Sequence, residues 1–332
     1  MKPTLSTALR GKRMLIAAST LVLLLPAVSM QAHAQNPDAF PERQVTLLIN
    51  YGAGGNTDVA GRALAHAMER QLNKPVVSMN RAGALGTLAV GYLAKQRPDG
   101  YTMGLVTYST IAITPHLMKV DYKVDDFDFI AGVARYRYGV AVRADSPFKT
   151  MEDLVQYSRQ GKGIFFGAPS APNNIAMYEL GRKTGGRFEE VNYKSGAETV
   201  SALLGGQVDV IVQNPSDIVQ YVKAGKMRLL ASASPMRWKE LPDVPTLKEQ
   251  GYDVEIDSWI GLAYPKGAPK AIRDKVEQIA MTAARSPELA KAFESAGVDP
   301  VAITGEDYRK KLVEGREIMG AAIKAANLPR VN

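Results

Sequence analysis

Residues 45–58 read VTLLINYGAGGNTD, and the order of elements that they predict recurs along the rest of the chain. The apolar residues 45–50 predict a short strand, the glycines after them predict a tight turn, and a helix is expected to start near Thr57 or Asp58. Glycine lets the backbone turn sharply and bring its N–H groups close to a ligand. A helix start adds unpaired N–H donors and a partial positive charge. The stretch therefore has the form of a site for a small anion such as a carboxylate, although a plain strand–helix turn would look the same.

The same order of strand, glycine-bearing loop and helix recurs after this stretch. Residues 75–79 and 101–107 predict two further strands, and residues 80–87 predict the loop between the first of them and its helix. This alternation is typical of a parallel α/β sheet, in which ligands bind outside the carboxyl ends of the strands. The candidate ligand-binding residues at these ends are Tyr51, Gly54, Gly55, Asn56, Thr57, Asp58, Thr87, Tyr108 and Ser109.

A second α/β series follows. Residues 139–143 predict a strand that leads out of the first unit, and Thr150 predicts the amino-terminal cap of a helix. Further strands are expected at residues 164–167, 189–193, 208–213 and 228–232, and helices at residues 174–184, 197–204, 216–224 and 246–250. The loop after residue 167 again joins a strand end to a helix start, and the N–H groups near residues 193–196 also face the expected cleft. The candidate ligand-binding residues of this series are Ala168, Ser170, Asn173, Asn174 and Gln213.

The chain is expected to return to the first unit before it ends. Residues 260–264 predict a returning strand, and the tail predicts helices at residues 269–285, 287–296 and 304–327. We expect domain 1 to comprise residues 43–142 and 262–332, and domain 2 to comprise residues 143–261. Two chain crossings, near Val140 and Leu262, would then form a hinge. The predicted fold class is α/β, with two domains and a cleft between them.

The amino terminus has the pattern of a secretory signal peptide. Basic residues precede the mostly apolar residues 14–30, and Ala32-His33-Ala34 is a cleavage pattern before Gln35. An uncleaved membrane anchor is the alternative, but the apolar run is short and ends in the cleavage pattern. We expect residues 1–34 to be removed on export to the periplasm. The four basic residues that leave with them are Lys2, Arg10, Lys12 and Arg13.

The charge and the composition exclude several classes of protein. Removal of residues 1–34 lowers the formal net charge from +8 to +4, and the remainder has no long run of Lys and Arg. Nucleic acid is therefore not expected as a partner. The chain contains no cysteine, which excludes disulfides, thiolate metal sites and cysteine nucleophiles.

Motifs for catalysis, metals and nucleotides are also missing. Residues 51–58 lack both the G-x-G-x-x-G spacing and the Gly-Lys-Ser/Thr of a P-loop. His66 and His116 lack a partner at metal-ligand spacing, and Ser170 has no histidine near it in sequence. We therefore predict no catalytic residue, no metal site and no cofactor. An exported enzyme acting on a small carboxylated substrate is the alternative.

Residues 45–58 resemble the first ligand loop of Bug-type extracytoplasmic solute receptors, the periplasmic binding components of tripartite tricarboxylate transporters. The resemblance covers nearly all of the chain after residue 34, in order. Further segments that resemble family positions are Asn80-Arg81-Ala82-Gly83, Pro98-Asp99-Gly100-Tyr101, Tyr193-Lys194-Ser195-Gly196-Ala197, Gly206-Gln207-Val208-Asp209, Leu241-Pro242-Asp243-Val244-Pro245-Thr246, Ser258-Trp259 and Gly261-Leu262. The resemblance implies a two-domain periplasmic-binding-protein fold of type II (Venus flytrap). It also implies that loops of both domains hold a ligand carboxylate through backbone N–H groups and water.

Two departures from the family pattern concern the cleft. Asn174 stands where the family often has a histidine, and Gln213 stands where it often has an aspartate. We interpret the loss of an acid at the cleft as favouring a more anionic ligand, or one without an amino group. The sequence thus predicts a monomeric periplasmic receptor that captures a di-, tri- or aromatic carboxylate and passes it to membrane transporter subunits. The sequence leaves the identity of the acid open.

Overall fold

The computed structural model describes residues 39–193 and 195–325, which form two β-sheets flanked by helices. The strands are β1 (Val45–Ile49), β2 (Val76–Asn80), β3 (Thr102–Thr107), β4 (Phe127–Tyr136), β5 (Gly139–Arg143), β6 (Ile164–Ala168), β7 (Phe188–Asn192), β8 (Val210–Gln213), β9 (Met227–Ser232), β10 (Trp259–Pro265) and β11 (Val298–Thr304). The helices are α1 (Asn56–Leu72), α2 (Thr87–Ala94), α3 (Thr114–Leu117), α4 (Met151–Arg159), α5 (Ala171–Thr184), α6 (Gly196–Leu204), α7 (Pro215–Lys223), α8 (Lys270–Ala284), α9 (Pro287–Ser295) and α10 (Gly305–Ala325). The predicted signal peptide lies outside the described residues.

The first sheet has six strands in the order β11-β4-β10-β3-β1-β2. Strand β1 is parallel to both β2 and β3, as the alternation of strands and helices predicts. Strand β10 is antiparallel to β3 and to β4, and β11 is antiparallel to β4. The sheet is therefore mixed rather than wholly parallel, because the chain returns to it from a second sheet.

The second sheet has five strands in the order β7-β6-β8-β5-β9. Strand β6 is parallel to β7 and β8, whereas β5 is antiparallel to β8 and β9. The chain leaves the first sheet between β4 and β5 and returns between β9 and β10. The two crossing segments lie side by side, because Tyr136 N donates to Ser258 O at 2.8 Å and Ala233 N donates to Tyr138 O at 2.8 Å.

Sheet membership changes slightly earlier in the chain than the expected domain boundaries. Strand β5, residues 139–143, belongs to the five-stranded sheet, and β10, which starts at Trp259, belongs to the six-stranded sheet. The domain boundaries, with residues 43–142 and 262–332 in domain 1 and residues 143–261 in domain 2, stay a prediction. None of the described helices combines the length and the apolar character that crossing a bilayer requires.

Strands β4 and β11 have no counterpart in the sequence prediction. Strand β4 is almost continuously buried, so it lacks the apolar–polar alternation that marks a half-exposed strand. Strand β11 contains Pro300, which removes a backbone donor, and the strand accommodates it at the sheet edge with a register shift.

The prediction of a helix at residues 246–250 is wrong. Thr246 and Glu249 do exchange side-chain hydrogen bonds with each other's backbone N–H at 2.7 and 3.0 Å, as they would at a helix start. The segment nevertheless forms only turns, since Gly251 takes a φ of +85° and the Tyr252 N–H bonds back to Leu247 O at 2.9 Å.

Close packing of α1 on the sheet fixes the first glycine loop. The apolar face predicted for this helix is buried, with Leu64 1%, Met68 0% and Leu72 5% exposed. Fully burying one such side chain contributes about 1.5–3 kcal/mol. Gly61 permits a close approach, because an added Cβ would lie only 2.9 Å from Leu105 Cδ1 on β3. The start of α1 is therefore held firmly at the carboxyl end of β1.

Candidate functional site

A cavity of about 550 Å³ lies where loops of the two sheets meet, a volume that suits a small-molecule ligand. It is bounded by the first glycine loop, by the crossing segment after β4 and by loops of the five-stranded sheet. The lining residues are residues 51–57, Ser109, Tyr136, Tyr138, Pro169, Ser170, Pro172, Asn173, residues 195–197, Gln213, Asn214 and Asp217.

Four helices direct their amino termini at this cavity. The cap residues of α1, α5, α6 and α7 all line it, and they are Gly55, Ser170, Ser195 and Asn214. Each helix start has N–H groups without an intrahelical acceptor and carries about half a positive charge. Among the lining residues that the structure describes there is no Lys, Arg or His. Attraction for an anion therefore comes from backbone donors and helix dipoles.

Asp58 stabilises the conformation of the first glycine loop without lining the cavity itself. Its carboxylate accepts hydrogen bonds from Gly54 N at 2.9 Å, from Arg62 Nε at 2.9 Å and from Asn80 Nδ2 at 2.7 Å. Burial would raise the pKa of Asp58, but these hydrogen bonds and the Arg62 charge hold it below its ordinary value. Gly54 has a φ of +82°, a conformation that favours glycine. Asp58 therefore acts on the cavity through the loop.

Hydroxyl groups line the cavity on the side of the six-stranded sheet. Tyr51 shares a hydrogen bond of 2.9 Å with Ser109, and Tyr136 shares one of 2.5 Å with Thr57. Burial raises the pKa of Tyr51, Tyr136 and Tyr138 above the ordinary phenol value. These phenols therefore remain neutral at physiological pH and can act as hydrogen-bond donors.

The second loop is fixed to the end of strand β8. Ser170 Oγ donates to Asn173 Oδ1, and Asn173 Nδ2 donates to Val212 O at 2.5 Å. The Ser170 hydroxyl therefore does not cap α5. Pro169 and Pro172 add apolar surface to the cavity wall. Proline in the first turn costs no intrahelical hydrogen bond and presets the helical φ.

Two amide groups in the cavity wall have unused donors. Gln213 is 1% exposed and its Nε2 has no partner among the described residues. The Nδ2 of Asn56 is likewise buried without a described partner, while its Oδ1 accepts from Ser216 Oγ at 3.2 Å. An unsatisfied buried donor costs about 1–3 kcal/mol. A ligand oxygen in the cavity would remove that cost.

The structure brings most of the predicted ligand-binding residues together. Those that line the cavity are Tyr51, Gly54, Gly55, Asn56, Thr57, Ser109, Ser170, Asn173 and Gln213. Asp58 does not line it. Thr87 Oγ1 donates to a backbone oxygen of the preceding turn at 2.7 Å, and Tyr108 faces a separate pocket beside α10. Ala168 is fully buried in β6, and Asn174 Nδ2 donates to a carboxylate of β7 at 2.5 Å.

Several lining residues are not among the predicted ones. Tyr136 and Tyr138 lie around the crossing between the sheets, and the crossing predicted near Val140 is the sequence signal that could have pointed to them. Asn214 could have been inferred from its position as the cap before Pro215. Within the described chain, no group of three His, Asp or Glu is arranged to hold a metal ion.

Asp217 bears on one interpretation of the sequence, which stays a prediction. We interpret Gln213 above as the loss of an acid at the cleft, but Asp217 lines the same cavity from the first turn of α7. Burial raises the pKa of Asp217 to about 6, although its carboxylate accepts a hydrogen bond from the Asn214 backbone N–H. The cavity therefore contains an acid.

The chain is similar to known proteins over most of its length. The family model described as "Tripartite tricarboxylate transporter family receptor" matches residues 60–328. The "UPF0065 protein in gbd 5'region" of Cupriavidus necator is 34% identical over 303 residues, covering 90% of this chain and 91% of the relative. The periplasmic binding protein BugD has a TM-score of 0.76 and 27% identity, covering 87% of this chain and 99% of that one. R. palustris Rpa4515 with adipate has a TM-score of 0.79 and 26% identity, covering 88% of this chain and 100% of that one.

Proposed function

The chain belongs to the tripartite tricarboxylate transporter receptor family, and we propose that it captures a small carboxylate in the periplasm for delivery to membrane transporter subunits. The family membership confirms the resemblance seen in the sequence. It also makes the chain a solute-binding receptor and not an enzyme. We also propose that the receptor acts as a monomer.

The convergence of four helix amino termini on one cavity carries the proposal. A carboxylate is an acceptor-only group with about four lone-pair sites, which matches a wall of backbone N–H donors, phenols and unpaired amides. Hydrogen bonds to an ionised acceptor are shorter and about twice as strong as neutral ones. The cavity therefore favours an anion although its described lining has no cationic side chain.

Rpa4515, which was solved with adipate, supports the same ligand class. Adipate is a dicarboxylate, and its receptor shares this chain's fold along nearly the whole length. For this chain we assign the binding residues to two groups. The first group is Tyr51, Gly54, Gly55, Asn56, Thr57 and Ser109, and the second is Ser170, Asn173 and Gln213.

Binding is expected to bring these two groups towards each other. The groups belong to different sheets, which are joined by the two crossing segments between β4 and β5 and between β9 and β10. A ligand that contacts both groups stabilises the arrangement in which they are closest. Exclusion of water then strengthens each electrostatic contact. The closed form would present a single surface to the transporter.

Thermal-shift screening with mono-, di- and tricarboxylates, aliphatic and aromatic, tests the proposal. At a hundredfold excess over Kd, a bound ligand stabilises the folded state by about 2.7 kcal/mol, which gives a measurable rise in Tm. The matched control for each acid is its uncharged amide. Stabilisation by at least one acid and not by its amide is the expected result. The absence of stabilisation by any acid, or equal stabilisation by the amides, would overturn the proposal.

A further inference from the structure

Asp217 is the acidic side chain among the described residues that line the cavity. It is the third residue of α7, and its carboxylate accepts the Asn214 backbone N–H. It also packs against the start of α6, because a Cβ added at Gly196 would lie 2.7 Å from Asp217 Oδ2 and 3.0 Å from Oδ1. The carboxylate is thus held by two neighbouring helix starts.

No described ion pair neutralises this carboxylate. Glu240 and Asp253, two other acids between the two crossing segments, pair with Arg137 and Lys183, but Asp217 has no Lys or Arg within ion-pair distance among the described residues. Because Gly196 has no side chain, the Asp217 carboxylate occupies the space beside the start of α6, at the wall of the cavity. The carboxylate has about four lone-pair sites, of which the Asn214 N–H takes one, and the other polar side chains that line the cavity are hydroxyls and amides that can donate.

The placement opposes the binding of a plain carboxylate. An anion attracted by the four helix starts would meet the Asp217 carboxylate in the same cavity, and like charges at short distance repel. The conflict is removed if the ligand presents a hydrogen-bond donor to Asp217 and its carboxylate to the N–H groups elsewhere. The cavity wall then matches a ligand with one anionic end and one donor group.

We propose that Asp217 is a specificity-determining residue, which selects carboxylates that also carry a hydroxyl or ammonium donor. The inference rests on the proposed function, because it names the ligand class of the same cavity. Burial raises the pKa of Asp217, which is the effect expected if the ionised carboxylate has no cationic partner before a ligand binds. An ammonium donor gains a charge pair with Asp217, whereas a hydroxyl donor gains a hydrogen bond to a charged acceptor.

Calorimetry at pH 7.5 with matched acids tests this inference. Each series contains one unsubstituted acid, its 2-hydroxy form and its 2-ammonium form, for example succinate, malate and aspartate, with the corresponding five- and six-carbon dicarboxylates. We expect at least one donor-bearing acid to bind about tenfold or more tightly than its unsubstituted parent. Asp217→Asn is expected to abolish this preference and to bind the unsubstituted acid equally or more tightly. A hydroxyl preference and an ammonium preference identify which donor the site takes.

The controls separate folding, charge and function. Asp217→Ser removes the charge with a smaller polar side chain, so it tests the same loss if the asparagine variant does not fold. Asp243→Asn removes one exposed acid that does not line the cavity. It should leave the affinity ratios between donor-bearing and unsubstituted acids unchanged. Equal binding of parent and donor-bearing acids by the wild type, or a preference retained within twofold in both Asp217 variants, would overturn the inference while the receptor function stands. Binding of no acid at all would instead reject the proposed function, and the inference with it.

Discussion

Ser216 on α7 donates a hydrogen bond of 3.2 Å to Asn56 Oδ1 at the start of α1, across 160 residues of sequence. Helix α1 follows a strand of the six-stranded sheet, and α7 follows a strand of the five-stranded sheet. The bond therefore joins the two halves of the molecule beside the cavity. It also orients the Asn56 amide, so that Nδ2 remains available to a ligand.

Loss of this bond should weaken ligand binding. We expect Ser216→Ala to raise Kd about two- to tenfold, since one hydrogen bond contributes about 0.5–1.5 kcal/mol and the bond favours the closed arrangement. The measurement is calorimetry with the acid identified by thermal shift, together with solution scattering with and without that acid. Ser201→Ala, at an exposed position on α6, is the matched control. A scattering profile that does not change on ligand addition in the wild type would contradict closure.

The unpaired amide of Gln213 gives a second prediction. Gln213→Glu replaces a buried donor by an acceptor of nearly the same shape and adds a negative charge beside the bound anion. Affinity for the carboxylate is expected to fall at least tenfold. Gln220→Glu makes the same chemical change at an exposed position of α7. An unchanged Kd in the Gln213 variant would remove this residue from the proposed binding set.

The glycine loop can be tested with a pair of substitutions matched for backbone strain. Gly54 and Gly161 have φ values of +82° and +81°, and an added Cβ at either would meet nothing within 4 Å. Alanine should cost about 1–2 kcal/mol of folding stability at each position, because the left-handed conformation disfavours a Cβ. Only Gly54→Ala should also weaken carboxylate binding. Denaturant unfolding and calorimetry on both variants make the comparison, and equal affinities would argue against the loop as a ligand contact.

The pKa of Asp217 predicts how stability depends on pH. Its value in the folded protein, about 6, lies above the ordinary 3.8, so the folded state holds the proton more tightly than the unfolded state. The free energy of unfolding therefore falls as pH rises from about 4 to about 6, by an amount on the order of 3 kcal/mol. Asp217→Asn should escape this loss and be more stable than the wild type at pH 7.5, but not at pH 3.5.

Urea unfolding of ligand-free protein at several pH values between 3.5 and 7.5 measures this difference. Asp243→Asn, at an exposed turn position, is the control for a change of net charge. A stability difference between Asp217→Asn and wild type that does not vary with pH would show that the carboxylate is not destabilised by burial. The Asp217 carboxylate would then gain little from a hydrogen-bond donor on the ligand, which would argue against its role in specificity.

Much of the fold follows from local patterns. Strands β1, β6 and β8 are short apolar runs, and Thr150 caps α4 as predicted, accepting from Asp153 N at 3.1 Å. These features depend on residues close together in sequence, where periodicity and capping chemistry are informative. Strand β11 depends instead on the edge that β4 offers it, and sequence patterns do not specify which segments become neighbours.

The two loops that flank the cavity, Tyr51–Asp58 and Gly167–Asn174, are predictable from local sequence, because glycine, strand ends and helix caps act within a few residues. Which side chains of those loops reach the cavity, and which, like Asp58 and Asn174, bond elsewhere, depends on tertiary contacts. The tertiary structure also added Tyr136 at the end of β4, Tyr138 in the crossing segment after it, and Asp217 in the first turn of α7. The physical reason is that a cavity is made by the relative position of distant segments, whereas a loop is made by its own residues.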